Sequence, residues 1–506
     1  MAVDGGSGPQ AENGPTENGR AGDGLAGDGL AGRALHRLLC AGLLLLCAGV
    51  LVHLYAGLDA AALAASACLV LCFALGLGRV GWRERSLLAA ALAVTAAAAL
   101  SHAAPAALAG QSLERAAFLA TFMILIGLLR VGAGTSSSVL ALGDYLTRQP
   151  PGRRYLAIHT GSHILGVLLN FGTLSLFGPL IVRGVDASRR DEPGAAAVRE
   201  QRQLSALMRG FSWVIAWSPT AITQALIPVA VIGAEPLAVA GMGAAVAAAM
   251  LPLGWLNDRI VGRRARRRLA REGLLPAGLR RDFPRAAAAR FSVVCLALTG
   301  GCALVVVASG VTVIVALMPV AALATLAWLL VQARAARRAG KDPAEGGSFA
   351  ARVRGLATVS VPRSLPEALT LATGGYCGLM LAGLLEPARV GAWLQLDRLP
   401  AEAIYLLAAA IVPLLSQLAA PPILVVTFFG SVLIGNPALG LDPSLLGFAF
   451  VMGWCLNLTG SPFGTTVLML GRATGVRGTT LSWRWNGLFT LAAFAIVTGA
   501  LFAFGA

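Results

Sequence analysis

The sequence predicts an all-α polytopic membrane protein made of two inverted-topology repeats, each with a re-entrant helical hairpin and a broken transmembrane helix, about 11 spans in all. Three observations predict it. First, 57% of the 506 residues are hydrophobic and only 13% are charged, about half the charged share of a soluble chain; the mean hydropathy is +0.74. Second, the basic residues behind the net charge of +16 cluster between apolar runs. That is how cytoplasmic loops of membrane proteins are marked, so the charge implies a lipid bilayer as partner and no nucleic acid. Third, two apolar runs are interrupted by related motifs, Ser218-Pro219-Thr220-Ala221-Ile222-Thr223 and Ser461-Pro462-Phe463-Gly464-Thr465-Thr466. Proline removes a backbone donor and breaks the helix ladder. Irregular backbone at membrane depth survives only inside protein or along a cavity. Broken spans in corresponding positions of two halves point to a transporter's binding site.

Residues 1–32 are polar, Gly-rich and carry Ala-Gly-Asp-Gly-Leu twice, which predicts a disordered cytoplasmic tail and no cleavable signal peptide. An extra N-terminal span follows at 33–57. The first repeat is expected over 58–257, with spans at about 60–78, 86–105 and 115–133. Arg33, Arg37, Arg79, Arg83 and Arg85 place the N-terminus and the second loop in the cytoplasm, and Arg148, Arg153 and Arg154 do the same for 140–154. The mostly apolar stretch 155–182 is then followed by 183–210, read as a second cytoplasmic loop because it holds six arginines. One crossing cannot return to its own side, so 155–182 reads as a hairpin with its tip at Leu169-Asn170-Phe171-Gly172-Thr173, where Asn, Gly and Thr favour a turn. The first broken helix is placed at 211–233 and the repeat's last span at 236–257.

The loop 258–290 contains eleven arginines and reads as a basic cytoplasmic loop between the repeats, part of it surface helix. The second repeat, 291–506, has spans at about 291–311, 312–333 and 367–385. The stretch 401–440 is too long for one crossing and polar in its middle (Ser416, Gln417, Pro421, Pro422), which predicts a hairpin opening from the outside. The second broken helix is expected at 443–470 and a last span at 485–504. The two repeats then enter the membrane from opposite sides.

A broken helix leaves free N–H groups on one half and free C=O groups on the other. The N–H ends hold anions, and the carbonyls with Ser, Thr and Asn oxygens hold sodium. Ser218, Pro219, Thr220 and Thr223 in one break, and Asn457, Thr459, Ser461, Pro462, Thr465 and Thr466 in the other, are the candidate binding residues, with sodium expected at Ser218, Ser461 and Thr465. Neither 211–233 nor 443–470 contains Lys, Arg, Asp or Glu, so dipoles and a co-bound cation would have to balance a bound anion. Gln224 can orient a ligand or tie two helices. His163 and His159 share a helix face in the first hairpin, and His163, nearer the tip, is the candidate proton site. Arg130 near a span end can snorkel to the cytoplasmic side. The eight cysteines all lie in apolar runs and are expected to be free; Cys68 and Cys72, four apart with no His or carboxylate beside them, read as small apolar residues.

This pattern of one hairpin and one broken helix per half resembles the ion-transporter superfamily, most of all its divalent anion/sodium symporter branch, with arsenite-type and sodium/proton antiporters as relatives. The resemblance spans about 60–505. In that family the hairpin tips carry Ser-Asn-Thr; here the first tip offers Asn170, Gly172 and Thr173, and the second offers Ser416 and Gln417. The resemblance implies cation-coupled movement of a small anionic solute, carboxylate among the classes, with sodium or a proton as coupling ion and no organic cofactor. A sodium/proton antiporter and a non-catalytic permease subunit or membrane scaffold are the other readings. No His-Glu-x-x-His, Gly-x-Ser-x-Gly or P-loop occurs, so the chain reads as no enzyme and no ATP-driven pump. The abundance of Ala, Gly and Arg suggests a bacterial source, hence the inner membrane with a cytoplasmic N-terminus; a homodimer is a compatible assembly.

Overall fold

The computed structural model describes residues 30–150, 152–189, 193–271, 282–338 and 348–505. The expected tail lies outside them up to residue 29, and helix begins at Leu30, inside the 1–32 boundary. The first half contains α1 (Leu30–Ala56), α2 (Asp59–Gly76), α3 (Trp82–Ser101), α4 (Pro105–Gly134), α5 (Ser137–Thr147), α6 (Arg154–Leu169), α7 (Gly172–Arg189), α8 (Pro193–Ser212), α9 (Ile222–Ala230) and α10 (Pro236–Arg271). The second contains α11 (Arg285–Ser309), α12 (Val313–Arg338), α13 (Phe349–Gly355), α14 (Val361–Arg363), α15 (Leu365–Leu384), α16 (Pro387–Trp393), α17 (Ala401–Ser416), α18 (Pro422–Ile434), α19 (Pro443–Gly460), α20 (Thr465–Thr474) and α21 (Trp485–Gly505). Helix dominates because in hydrocarbon every backbone group must bond within its own segment.

Among the described residues nine helices are long and apolar enough to cross a membrane, and ten if α15 and α16, bent by 77°, are one span. The first broken span is missing from that count because neither of its arms is both long and apolar. The 77° bend lies at Glu386, whose φ is +46°, followed by Pro387. It lays α16 across the end of α15, with Trp393 exposed, as suits an interfacial segment.

The halves interlock rather than sit side by side. The third long helices of the two halves, α4 and α15, pack on each other, α4 also packs on α12, and α15 on α3. In the same crosswise manner α9 packs on α18, the returning arm of the second hairpin, while α20 packs on α7, the returning arm of the first. Both breaks are thus held between elements of both halves.

Three boundaries differ from the sequence reading. The 183–210 segment is not a loop: α7 runs to Arg189 and α8 begins at Pro193. Arg183 and Arg189 lie on α7, and Arg199, Arg202 and Arg209 lie on α8, which packs on α6 and α7, so charge density alone mimicked a loop. The first broken span therefore starts well before 211. The basic segment after 257 begins as helix, in keeping with the helix expected for part of it: α10 continues to Arg271, and residues 272–281 lie outside the described ones. The second hairpin's helices end at Ile434 rather than 440, and the second broken span continues past 470 to Thr474.

Candidate functional site

Each hairpin tip is hydrogen-bonded to the break of its own half. At the first tip Asn170 turns the chain with φ +49°, a conformation unusual for a non-Gly residue. Its Nδ2 donates to Thr220 O at 3.3 Å, and Thr220 Oγ1 donates to Val167 O in the hairpin. The first break runs from Trp213 to Ala221. Inside it Ser218 Oγ and Thr220 Oγ1 share a hydrogen bond of 2.8 Å. Thr223 Oγ1 and Gln224 Nε2, at the start of α9, donate back to Ile215 O and Ala216 O, so Gln224 serves the break itself. Pro219 is half-buried, whereas Ser218, Thr220 and Thr223 are all at most 2% exposed.

The second break, 461–464, is tied to its tip in the reverse sense. Ser461 Oγ donates to Ser416 O at 2.8 Å and also accepts from Phe463 N. Gln417 Nε2 donates to Gly460 O at 3.3 Å, and Trp483 Nε1 donates to Gln417 Oε1. Ser461, Pro462, Thr466 and Ser416 are buried, but Thr465 is exposed, and Thr459 faces α21 through Thr490 at 3.0 Å. Of the three positions expected to hold sodium, Ser218 and Ser461 are buried inside the breaks and Thr465 is exposed at the first position of α20.

A close helix approach underlies each unit. A Cβ on Gly210 in α8 would meet the His159 carbonyl of α6; a Cβ on Gly453 in α19 would lie 2.5 Å from the Ala409 carbonyl of α17. Each glycine stands eight residues before its motif serine. The repeat therefore extends further upstream than the Ser-Pro motif shows.

Three predicted site residues carry buried polar atoms without a partner: Thr173 Oγ1, Asn457 Oδ1 and Thr466 Oγ1. Thr173 and Thr466 are each the second residue of a helix that starts at a tip or break, α7 and α20, and these two helices pack on each other. In α7 the N–H groups of Thr173, Leu174 and Ser175 already donate to Asn170 O and Phe171 O, so the Thr173 hydroxyl stands beside a turn whose donors are satisfied. Asn457 lies one turn before the second break. Gly172 is needed because a Cβ there would stand 2.8 Å from Arg130 Cγ. Arg130 does not simply snorkel: it pairs with Glu367 of α15 at 3.2 Å, joining the halves beside the first tip.

His163 sits in a ring column. Tyr155, His159, His163 and Trp217 follow one another at centroid distances of 5.6, 6.4 and 5.7 Å. A carbonyl only accepts and an indole N–H only donates, so the bonds of His163 Nδ1 to Gly210 O (2.9 Å) and of His163 Nε2 to Trp217 Nε1 (2.8 Å) fix a neutral ring with its proton on Nδ1.

The residue the sequence reading missed is Arg209. It was counted with the cytoplasmic arginines; the structure buries it to 3% exposure one turn before the first break. Its Nε donates to Asn486 Oδ1 at 2.8 Å, Nη2 to Trp485 O at 3.2 Å and Nη1 toward Gly254 O at 3.4 Å, and the guanidinium lies over the Phe489 ring at 4.7 Å. At the far end of α9, Arg115 of α4 donates to Val229 O at 2.8 Å, placing a cation at the carbonyl end of the half-helix.

No family model matches the chain, and no curated protein does. A solved structure does: the YdaH transporter of Alcanivorax borkumensis, whose crystal structure is described as revealing an unusual topology, is similar with a TM-score of 0.57 and 16% identity, over 83% of this chain and 98% of that one. At that identity the similarity establishes the fold: this chain is a polytopic, all-helical membrane protein with the architecture of that transporter.

Proposed function

We propose that this chain is a secondary transporter that moves a small anion across the bacterial inner membrane by alternating access, with sodium or protons as the coupling ion. The two halves enter the bilayer from opposite sides, and the N-terminus is cytoplasmic. The observation that carries the reading is the set of buried, unpartnered oxygens on Thr173, Asn457 and Thr466 at the first tip and second break. Buried polar atoms are nearly always bonded, and an orphan calls for a water or ion. Here Thr466 stands at the N-terminus of α20, which favours an anion, and Asn457 lies one turn before the end of α19, whose carbonyls favour a cation. The shared fold with a transporter supports the same reading.

His163 is neutral as bonded, and protonating Nε2 would break its bond with Trp217. This favours sodium over a hairpin proton as the coupling ion. The test is counterflow of labelled small anions into liposomes holding only the purified chain, with and without sodium. Exchange that requires sodium supports the reading. No exchange for any anion under either condition would leave a permease subunit or scaffold as the better account.

A further inference from the structure

The face of α8 that meets α10 and α21 carries a buried charge, Arg209, with a ring and neutral acceptors around it but no paired carboxylate among the described residues. The register of this face is given by three contacts. Arg202 binds Asp258, Arg209 reaches Gly254 O, and a Cβ on Gly243 would meet Ala216 O. Helical spacing puts Ser205, Ser212 and Trp213 on the same face, one turn either side of Arg209. Asp258 pairs with Arg202, at 2.8 and 2.6 Å, and not with Arg209. No carboxylate lies within ion-pair distance of Arg209 among the described residues, and the groups it bonds, a side-chain amide, two carbonyls and the Tyr155 hydroxyl, are all neutral. Arginine does not shed its proton, so a full positive charge stays buried in an apolar setting, which is costly unless countered.

A second, independent observation lies on the same face. Ser205 Oγ, Ser212 Oγ and Trp213 Nε1 have no hydrogen-bond partner, and their residues are 4%, 0% and 0% exposed. The indole N–H can only donate, and the two hydroxyls are each able to. A guanidinium with unused N–H groups, flanked by unsatisfied donors, is the complement of an anion.

We propose that this α8 seam binds a small monovalent anion, a halide or a compact oxyanion, beside Arg209. The site lies on the approach to the first break, outside the tip-and-break site. Its occupant is either a resident inorganic anion or the transported anion on its way, and the chemistry of binding is the same for both.

The test uses the full chain in detergent and chloride as probe, replacing gluconate at constant sodium and ionic strength. A ligand of the folded state raises its unfolding temperature with a saturating dose dependence. Chloride is expected to raise the unfolding temperature of the native chain and to lose this effect in Arg209→Gln. Ser212→Ala, which removes one hydroxyl and little volume, is expected to weaken the apparent chloride affinity about fivefold, and it keeps the test valid if Arg209→Gln does not fold. Equal unfolding temperatures in chloride and gluconate for the native chain, or undiminished chloride affinity in Ser212→Ala together with Arg209→Lys, would overturn the proposal. An anion identified by counterflow then assigns the occupant: competition with chloride means the transported anion passes through the seam, and independence means a resident ion. The proposal does not rest on the transport reading, since a chloride shift without counterflow would leave it standing.

Discussion

The two tip-and-break units share a plan and differ in what they put into it. Both place a glycine eight residues before Ser-Pro, and both bring the arm of the broken span against the entering arm of a hairpin there. The first break is nine residues wide, with an aromatic column beside it and Arg209 one turn before it; both tips hold a non-Gly residue at positive φ, Asn170 at +49° and Ala419 at +63°. The second is four residues wide, and α19 with α20 still passes as one span of 32 residues. At the position matching Arg209 it has Met452, fully buried. The comparison teaches that one scaffold has been used twice, once with a fixed charge beside a wide break and once with neither. An inverted repeat alone would make the two ends of the site equivalent; these residues make them unequal.

The sharpest way to break the comparison is topology, because it is all or none. Single cysteines at Gly152 and Gly184 flank the first hairpin, and at Arg398 and Ala438 the second; all four positions are exposed. In intact cells a membrane-impermeant thiol reagent should spare the first pair and label the second. Labelling of all four, or of one member of a pair, would end the inverted relation.

Next in size are the glycine contacts. Gly210→Val and Gly453→Val push side chains against backbone carbonyls that cannot move alone. Each should cost about 3 kcal/mol, the upper range for overpacking, read as a fall in unfolding temperature. If Gly453→Val were tolerated and Gly210→Val were not, the close approach would belong to the first unit only.

Smaller in stability, larger in function, are the motif serines. Ser461 bonds the tip of its own half, whereas Ser218 bonds only its neighbour Thr220. Ser461→Ala should lose about 1 kcal/mol, the net worth of a hydrogen bond, and Ser218→Ala less. Uptake normalised to surface expression should fall about tenfold in both, as for a lost ligand worth about 1.4 kcal/mol. Normal uptake in both would reduce the motif to a packing kink.

His163→Gln keeps one donor and one acceptor. With a neutral His163, the pH profile of uptake should keep its midpoint. A displaced midpoint would put the coupling proton on the first hairpin. The smallest effect is expected for Thr325→Ala in α12, whose hydroxyl bonds only the Ala321 carbonyl one turn back; uptake should match the native chain.

Much of this architecture was legible in the residues. Proline inside apolar runs located both breaks, and Asn170 and Pro421-Pro422 located both tips, because these signals are local. What was not legible depended on distant partners. Arg209 looked like its neighbours in an Arg-rich stretch, and only Gly254 and Asn486, brought in by α10 and α21, make it a buried charge. Thr459 sits in the right motif, yet its hydroxyl meets Thr490 of α21, since a broken helix does not fix which neighbour each of its residues meets. The Gly210 and Gly453 spacing was present in the sequence, but a glycine signals close packing only once its facing carbonyl is known.

The crosswise packing of the halves also sets a timetable for the chain's manufacture. The end of α9 and the start of α18 are separated by roughly 190 residues, which a ribosome making 5–20 residues per second takes about 10–40 s to add. During that interval α9 lies in the bilayer without the helix it packs on, and the Ser431 hydroxyl that will donate to Ala230 O does not yet exist. Arg115, already made and already inserted, can hold the neighbouring Val229 carbonyl meanwhile. The nascent first half must therefore be kept from wrong neighbours until its partner helices arrive, which makes translation speed and insertion factors part of how this protein reaches its fold.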